Sequence, residues 1–224
     1  MKPLILALDT THEFGSIALL EGVEVVEEML LHSPDGFGHV LFEHLGRLLG
    51  HHNRRADEMD CFAAASGPGS FTGVRVGLAC VKGLAEAAGR KVVAVSNLEA
   101  MARFGSAAQR ATVLDARRGE IYGAVYGPAG EVLREPAVTR FPVWLETLPS
   151  GEIEFLSTDF EPFRPALTGT RFETSRITTA PRALAAAVGR IAYGRWSAGL
   201  ALDPAAIDAD YVRRSDAELF WKDR

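Results

Sequence analysis

The sequence predicts an α/β protein of two related halves, on three observations. Short apolar runs alternate with stretches of helical periodicity through the first hundred residues. A strand ending in an acid, a turn and a returning strand open each half. The composition is that of a folded chain: 224 residues, 47% hydrophobic and 24% charged, which can bury a core and fits one large domain or two small ones.

The first half reads in order. Leu4–Leu8 is a buried strand closed by Asp9, and Ser16–Leu20 returns from the turn 9–15. Glu21-Gly22 turns into a third strand, Val23–Leu31, and Ser33-Pro34-Asp35-Gly36-Phe37-Gly38 is a loop. Leu41, Leu45, Leu48 and Leu49 recur at i, i+4, i+7 and i+8, one face of a helix. Cys61–Ser66 is a short apolar strand followed by Gly67-Pro68-Gly69-Ser70-Phe71-Thr72-Gly73, and a long helical pattern then runs to about Ala88 before the strand Lys91–Val95. The second half restarts: Thr112–Asp115, the turn Ala116-Arg117-Arg118-Gly119, and a strand Glu120–Tyr126. Leu8-Asp9 aligns with Leu114-Asp115, and Ala18-Leu19 with Ala124-Val125 at the same distance from the acid. Residues 129–181 are proline-rich pieces that periodicity does not assign, and Ala183–Trp196 is an alanine-rich helix. The expected division is residues 1–103 and 104–224, with a tail after Asp203 that folds back on the N-terminal half.

Charge and cysteine usage exclude several classes. Twenty-four Lys and Arg against 29 Asp and Glu leave a net charge of −5, which argues against a broad nucleic-acid face. The pairs Arg54-Arg55, Arg117-Arg118 and Arg213-Arg214 are read as solvated surface pairs unless they converge. No apolar run reaches the roughly 18 residues of a membrane span, and Met1–Asp9 reads as a strand rather than a signal peptide, so a cytoplasmic location is expected with no membrane partner. Cys61 and Cys80 sit in apolar stretches without a CxxC spacing, as small buried hydrophobes. His39 and His44, five apart, point about 140° from one another around a helix, and His51-His52 lack an acid at ligand spacing, so no metal site is expected.

Two motifs carry the chemical question. Asp9 and Asp115 each end a strand before a turn, where α/β folds place metal or phosphate chemistry, although such residues also bond their own turns. In actin-like, sugar-kinase and Hsp70-like ATPases that turn carries a phosphate-facing glycine; here Thr10-Thr11 and Ala116-Arg117-Arg118 follow the acids, and no Gly-Gly pair occurs. The segment Gly67–Gly77 is a glycine-rich loop entering a helix, but it is not a Walker loop, since no Lys-Ser/Thr follows, nor a nucleophile elbow, since Phe71 stands where the serine belongs. Gly73, Gly77 and Gly83 inside that helix cost about 1 kcal/mol each relative to alanine. Gly73 and Gly77 share a face beside the apolar stripe Val74, Leu78, Val81 and Leu84, a packing surface for the chain itself or for a partner.

Ile5-Leu6-Ala7-Leu8-Asp9-Thr10, the segment Gly67–Gly77 with Ser70, Phe71, Thr72 and Arg75, and Leu114-Asp115-Ala116-Arg117-Arg118-Gly119-Glu120-Ile121-Tyr122 closely resemble the TsaB (YeaZ) family. Tyr211-Val212-Arg213 resembles that family's Tyr-Leu-Arg, and Ser33–Gly38 departs from its usual spelling. The resemblance implies an actin-like (ASKHA) fold and a role in forming threonylcarbamoyladenosine (t6A) at adenosine 37 of ANN-decoding tRNAs. It implies no catalytic residue and no cofactor of the chain's own. ATP or ADP and a metal belong to partner subunits: TsaD, which transfers the threonylcarbamoyl group, and TsaE, an ATPase, while TsaC supplies threonylcarbamoyl-AMP. It further implies homodimer or TsaD heterodimer contacts through helices 39–49 and 70–88, hence through His39, Leu41, Leu45, Leu48, Gly73, Val74, Gly77, Leu78, Val81 and Leu84, with tRNA met through the complex. A bulky residue at Gly77 is then expected to break both assemblies. Competing readings are a small ASKHA-type ATPase or phosphotransferase using Asp9 and Asp115, a glycoprotease-like peptidase, and a structural homodimer with no tRNA role.

Overall fold

The computed structural model describes residues 2–210 and residue 212. The strands are β1 (Leu4–Asp9), β2 (Phe14–Glu21), β3 (Glu24–His32), β4 (Cys61–Gly67), β5 (Lys91–Ser96), β6 (Arg110–Asp115), β7 (Ile121–Tyr126), β8 (Val132–Thr139), β9 (Glu154–Ser157) and β10 (Ile177–Thr179). The α-helices are α1 (Leu41–His51), α2 (Phe71–Ala88), α3 (Asn97–Ala102), α4 (Phe141–Glu146) and α5 (Ala185–Ser197).

Two five-stranded sheets form, ordered β3-β2-β1-β4-β5 and β10-β9-β6-β7-β8. Read from opposite ends they are the same sheet. β1 and β6 each pair antiparallel with the strand that follows and parallel with β4 and β9, which in turn pair parallel with β5 and β10. The strand–acid–turn–strand repeat seen in sequence is thus the opening of a duplicated unit.

The chain divides into two compact units, Met1–Ala100 with Arg182–Asp210, and a second formed over Met101–Pro181. This replaces a single cut at residue 103: α5, expected in the second half, belongs with the first unit. The reason lies in β1. All six of its residues are buried, and because successive side chains point to opposite faces the strand needs cover on both. Leu4, Leu6 and Leu8 pack with α1 and α2 through Leu41, Leu45, Leu48, Val74, Leu78 and Val81. Ile5 and Ala7 meet Ala185, Val188, Ile191 and Ala192 of α5 on the other face.

The second unit has its own core, in which Val113, Ile121 and Val125 pack with Phe141, Trp144, Leu145, Phe155, Phe160 and Phe172. No described helix is long and apolar enough to cross a membrane.

Candidate functional site

In the first unit the acid after β1 is buried, at 1% exposure. One Asp9 carboxylate oxygen accepts from the Thr11 N–H at 2.9 Å and the Thr11 hydroxyl at 2.7 Å. The other accepts from Asn97 Nδ2 at 3.3 Å. Asn97, at the start of α3, also donates to Thr11 Oγ1 at 2.8 Å, and its Oδ1 accepts from the Gly67 N–H at 3.1 Å. Directly and through Asn97, the buried carboxylate ties together the β1–β2 turn, the end of β4 and the start of α3 in one hydrogen-bonded node.

The N-terminus of α2 closes over the same turn. Ser70 caps the helix, its Oγ accepting from Gly73 N at 3.3 Å, while its own N–H donates to the Thr11 carbonyl at 2.6 Å. Thr10 Oγ1 donates to the Gly73 carbonyl at 2.7 Å. The glycines make this approach possible. A Cβ on Gly69 would stand 2.6 Å from the Thr11 carbonyl oxygen, one on Gly73 would collide with the Thr10 carbonyl, and one on Gly77 would reach Thr10 Oγ1 at 2.6 Å.

This corrects the interface expected from sequence. The Gly73–Gly77 notch receives the chain's own β1–β2 turn, so a bulky residue at Gly77 disrupts the fold before it can test any assembly. Leu41, Leu45, Leu48, Val74, Leu78 and Val81 are buried in the first unit's core, with Leu84 half-buried against it. Of the ten residues expected at an interface only His39 is exposed, and it precedes α1, whose N-cap is Val40. The outward faces are different ones. Phe42 on α1 is 66% exposed and Phe71 at the head of α2 is 44% exposed. The Arg75 guanidinium lies 3.7 Å over the Phe71 ring, and Thr72, Ala79 and Gly83 are exposed along the same helix. Built Cβ atoms on Gly46, Gly50 and Gly83 meet nothing within 4 Å.

The second unit's equivalent turn is exposed at its tip. Asp115 is exposed, and its carboxylate accepts from the Arg117 N–H at 2.7 Å. The turn is closed by Ala116 N to the Glu120 carbonyl at 3.0 Å and Glu120 N to the Arg117 carbonyl at 3.0 Å. Arg117 and Arg118 adopt left-handed backbone, φ 62° and 57°, ahead of Gly119 at 77°. For a side-chain-bearing residue that conformation costs about 1–2 kcal/mol.

Neither cysteine is placed to act as a nucleophile: burial pushes the Cys61 thiol up to about 12 and the Cys80 thiol up to about 11, so both stay protonated. His52 Nε2 lies 2.7 Å and His51 Nδ1 3.5 Å from Glu27, whose carboxyl these histidines hold below the usual range. Among the described residues no three His, Cys, Asp or Glu converge as a metal site. Tyr211 and Arg213 of the C-terminal motif, and Arg214, lie outside the described residues. Sequence reasoning missed Asn97 and Phe42. Asn97 follows a strand with no motif around it, and the leucine stripe of α1 drew attention to the inner face rather than to Phe42.

Two duplicated mixed α/β units, each opening with an acid-bearing hairpin, define an actin-like (ASKHA) fold, here with the first of those hairpins filled by the chain's own helix. Comparison with known proteins agrees. Component A of (R)-2-hydroxyglutaryl-CoA dehydratase from Acidaminococcus fermentans shares the fold at 10% identity and a TM-score of 0.55, over 87% of this chain and 99% of that one. A Pseudomonas aeruginosa protein described as similar to peptidase YeaZ superposes with a TM-score of 0.78 at 25% identity, over 94% of this chain and 100% of that one. The family model described as "TsaD: tRNA N6-adenosine threonylcarbamoyltransferase" matches residues 39–188. The Haemophilus influenzae tRNA threonylcarbamoyladenosine biosynthesis protein TsaB is 36% identical over 122 residues, 53% of this chain and 51% of that protein. The chain belongs to the TsaB (YeaZ) family. It spans about half the length of the curated relatives it matches.

Proposed function

We propose that the chain is a non-catalytic partner of TsaD in t6A formation at adenosine 37 of ANN-decoding tRNAs, joined in that assembly by TsaE. The observation that carries this reading is the closed first turn. Asp9 bonds Thr11 and Asn97, and the space a phosphate would need beside Thr10 and Thr11 is taken by Gly69, Ser70 and Gly73. A unit so arranged keeps the fold of a nucleotide-binding protein and uses it as a rigid support, while ATP, ADP and metal chemistry fall to the partner subunits. The outward faces of α1 and α2, with Phe42, Arg75 and Gly83, are the surface this reading assigns to pairing with TsaD and, in isolation, with a second copy in the cytoplasm.

The test is reconstitution of t6A on an unmodified ANN-decoding tRNA with TsaC, TsaD and TsaE, with and without this chain, read by nucleoside mass spectrometry. Product only in its presence supports the reading; equal product without it removes the partner role. Phe42→Glu is expected to weaken TsaD pairing about tenfold or more while leaving the melting temperature unchanged, because an exposed aromatic anchor contributes to assembly and not to the core. Unaltered pairing would move the interface elsewhere.

A further inference from the structure

We infer that the exposed hairpin turn of the second unit, Asp115–Glu120, contacts the phosphate backbone of tRNA through Arg117 and Arg118, an inference that rests on the reading of the chain as a t6A subunit. The first argument is the internal duplication. The β1–β2 turn is covered by the head of the 18-residue helix α2, which follows β4. After β9, the counterpart of β4, the described chain has only the short 3-10 helix Arg164–Leu167 before β10. The second turn leaves Arg117, Arg118 and Gly119 exposed.

The second argument is the backbone. Among the described residues, positive φ angles fall on nine glycines, on Asn53, and on Arg117 and Arg118. Glycine and asparagine tolerate that region, and arginine does not share their reason for being there. Among the described residues this strain is thus relieved except at two successive positions of one exposed turn, which carry guanidinium groups. Strain retained in this way marks a group needed for something other than stability. The Arg117 N–H is held by the Asp115 carboxylate, which fixes the conformation of the turn. Arginine's forked donors suit phosphate oxygens, and a turn that needs neither a groove nor a stacking ring suits a contact that reads charge rather than sequence. The net charge of −5 keeps such a contact local, so it adds to a complex that already holds the tRNA.

The test uses the full chain assembled with TsaD, and an unmodified ANN-decoding tRNA as probe. Arg117→Gly with Arg118→Gly removes strain and charge together. The expected result is a melting temperature equal to or above that of the parent, unchanged pairing with TsaD, tRNA affinity lower by about tenfold, and a log affinity–log salt slope shallower by about one to two. Arg117→Lys with Arg118→Lys is expected to keep most of the salt slope. A structural role would lower the melting temperature instead, and that result, an unchanged tRNA affinity and slope, or loss of TsaD pairing would each overturn the inference. If the unaltered complex forms t6A while the glycine variant binds tRNA normally, only this inference falls. If the unaltered complex forms no product, the t6A reading falls and this inference with it.

Discussion

Gly73 and Gly83 sit on the same helix and differ in everything but name. A Cβ on Gly73 runs into the Thr10 carbonyl, a backbone atom fixed by β1, whereas a Cβ on Gly83 meets nothing within 4 Å. Gly73→Ala is therefore expected to destabilise the protein by about 2–3 kcal/mol or more, through overpacking with no side chain able to yield. Gly83→Ala should stabilise it by roughly 0.5–1 kcal/mol through helix propensity. Urea unfolding of the two variants checks both, and shifts of the same sign would contradict the placement of the β1–β2 turn against α2. Sequence alone recognised that this helix carries a glycine face but not what fills it, because a notch for a neighbouring helix and a notch for a turn have the same spacing. Asn97 makes a sharper case. It is fully buried and serves Asp9, Thr11 and Gly67 at once. Asn97→Ala leaves buried polar groups on two segments short of partners and is expected to cost about 2–4 kcal/mol by the same measurement. A loss under 0.5 kcal/mol would show that the node is not shared as the distances indicate.

At the scale of elements, α5 is held by its N-terminus. Ser16 Oγ on β2 accepts from the Leu184 and Ala185 N–H groups at 3.0 and 2.9 Å, and Glu28 on β3 accepts from Ala186 N at 2.8 Å. Three otherwise orphaned helix donors are thus satisfied by side chains more than 150 residues away in sequence. Burial pushes the Glu28 carboxyl above the usual range, offset only partly by the Ala186 N–H and Arg190. The folded state then holds this proton more tightly than the unfolded chain, so its contribution is complete below the ordinary glutamate range and is lost as pH rises through the raised folded value. Its neighbour Glu27, held low by His52 and His51, does the reverse: its contribution is present above the ordinary range and is lost as pH falls through the lowered value. Glu28→Gln should flatten the loss on the rising side, and Glu27→Gln the loss on the acid side, in stability measured from about pH 3 to 7; identical pH profiles for both variants would refute the assignment. Strands β1 to β5 and helices α1 and α2 were legible because each is a short apolar run or a stretch of period 3.6, whereas the six-residue α3 offered too little of either. The elements within 129–181 were not, for physical reasons. β8 is an edge strand interrupted by Pro136, α4 is six residues long with Pro142 in its first turn, and β9 and β10 have four and three residues. Elements this short leave no period to read, and their core is a cluster of rings: Phe141 alone lies 5.4–6.2 Å, centroid to centroid, from Trp144, Phe155, Phe160 and Phe163.

At the scale of the whole molecule the duplication was visible from four aligned positions, yet the two copies solve the covering problem differently, and that difference decides which of them stands alone. The first sheet needs α1 and α2 on one face and α5 on the other, and α5 arrives only after the second unit has been completed. Burial of Ile5, Leu20, Val188 and Ile191 in that second layer is worth roughly 1.5–3 kcal/mol per side chain. The sum matches the 5–15 kcal/mol by which a domain is usually stable. Gly189 lets α5 sit close, since even a Cβ there would stand 3.3 Å from Ala7 and collide with Leu20. A fragment ending at Ala100 lacks this layer and leaves Ile5, Ala7, Ala18 and Leu20 bare. It is expected to lack a cooperative melting transition, and to gain one when residues 182–210 are supplied in the same chain through a short linker. Residues 101–181 carry a complete five-stranded sheet and their own aromatic cluster. As an isolated fragment they are expected to unfold in a single sigmoidal step by circular dichroism, with the near-ultraviolet signal of Trp144 lost in the same transition. If fragment 1–100 melts cooperatively and fragment 101–181 does not, the contribution assigned to α5 is wrong, and the first half is self-sufficient as the simple two-half division of the sequence implied.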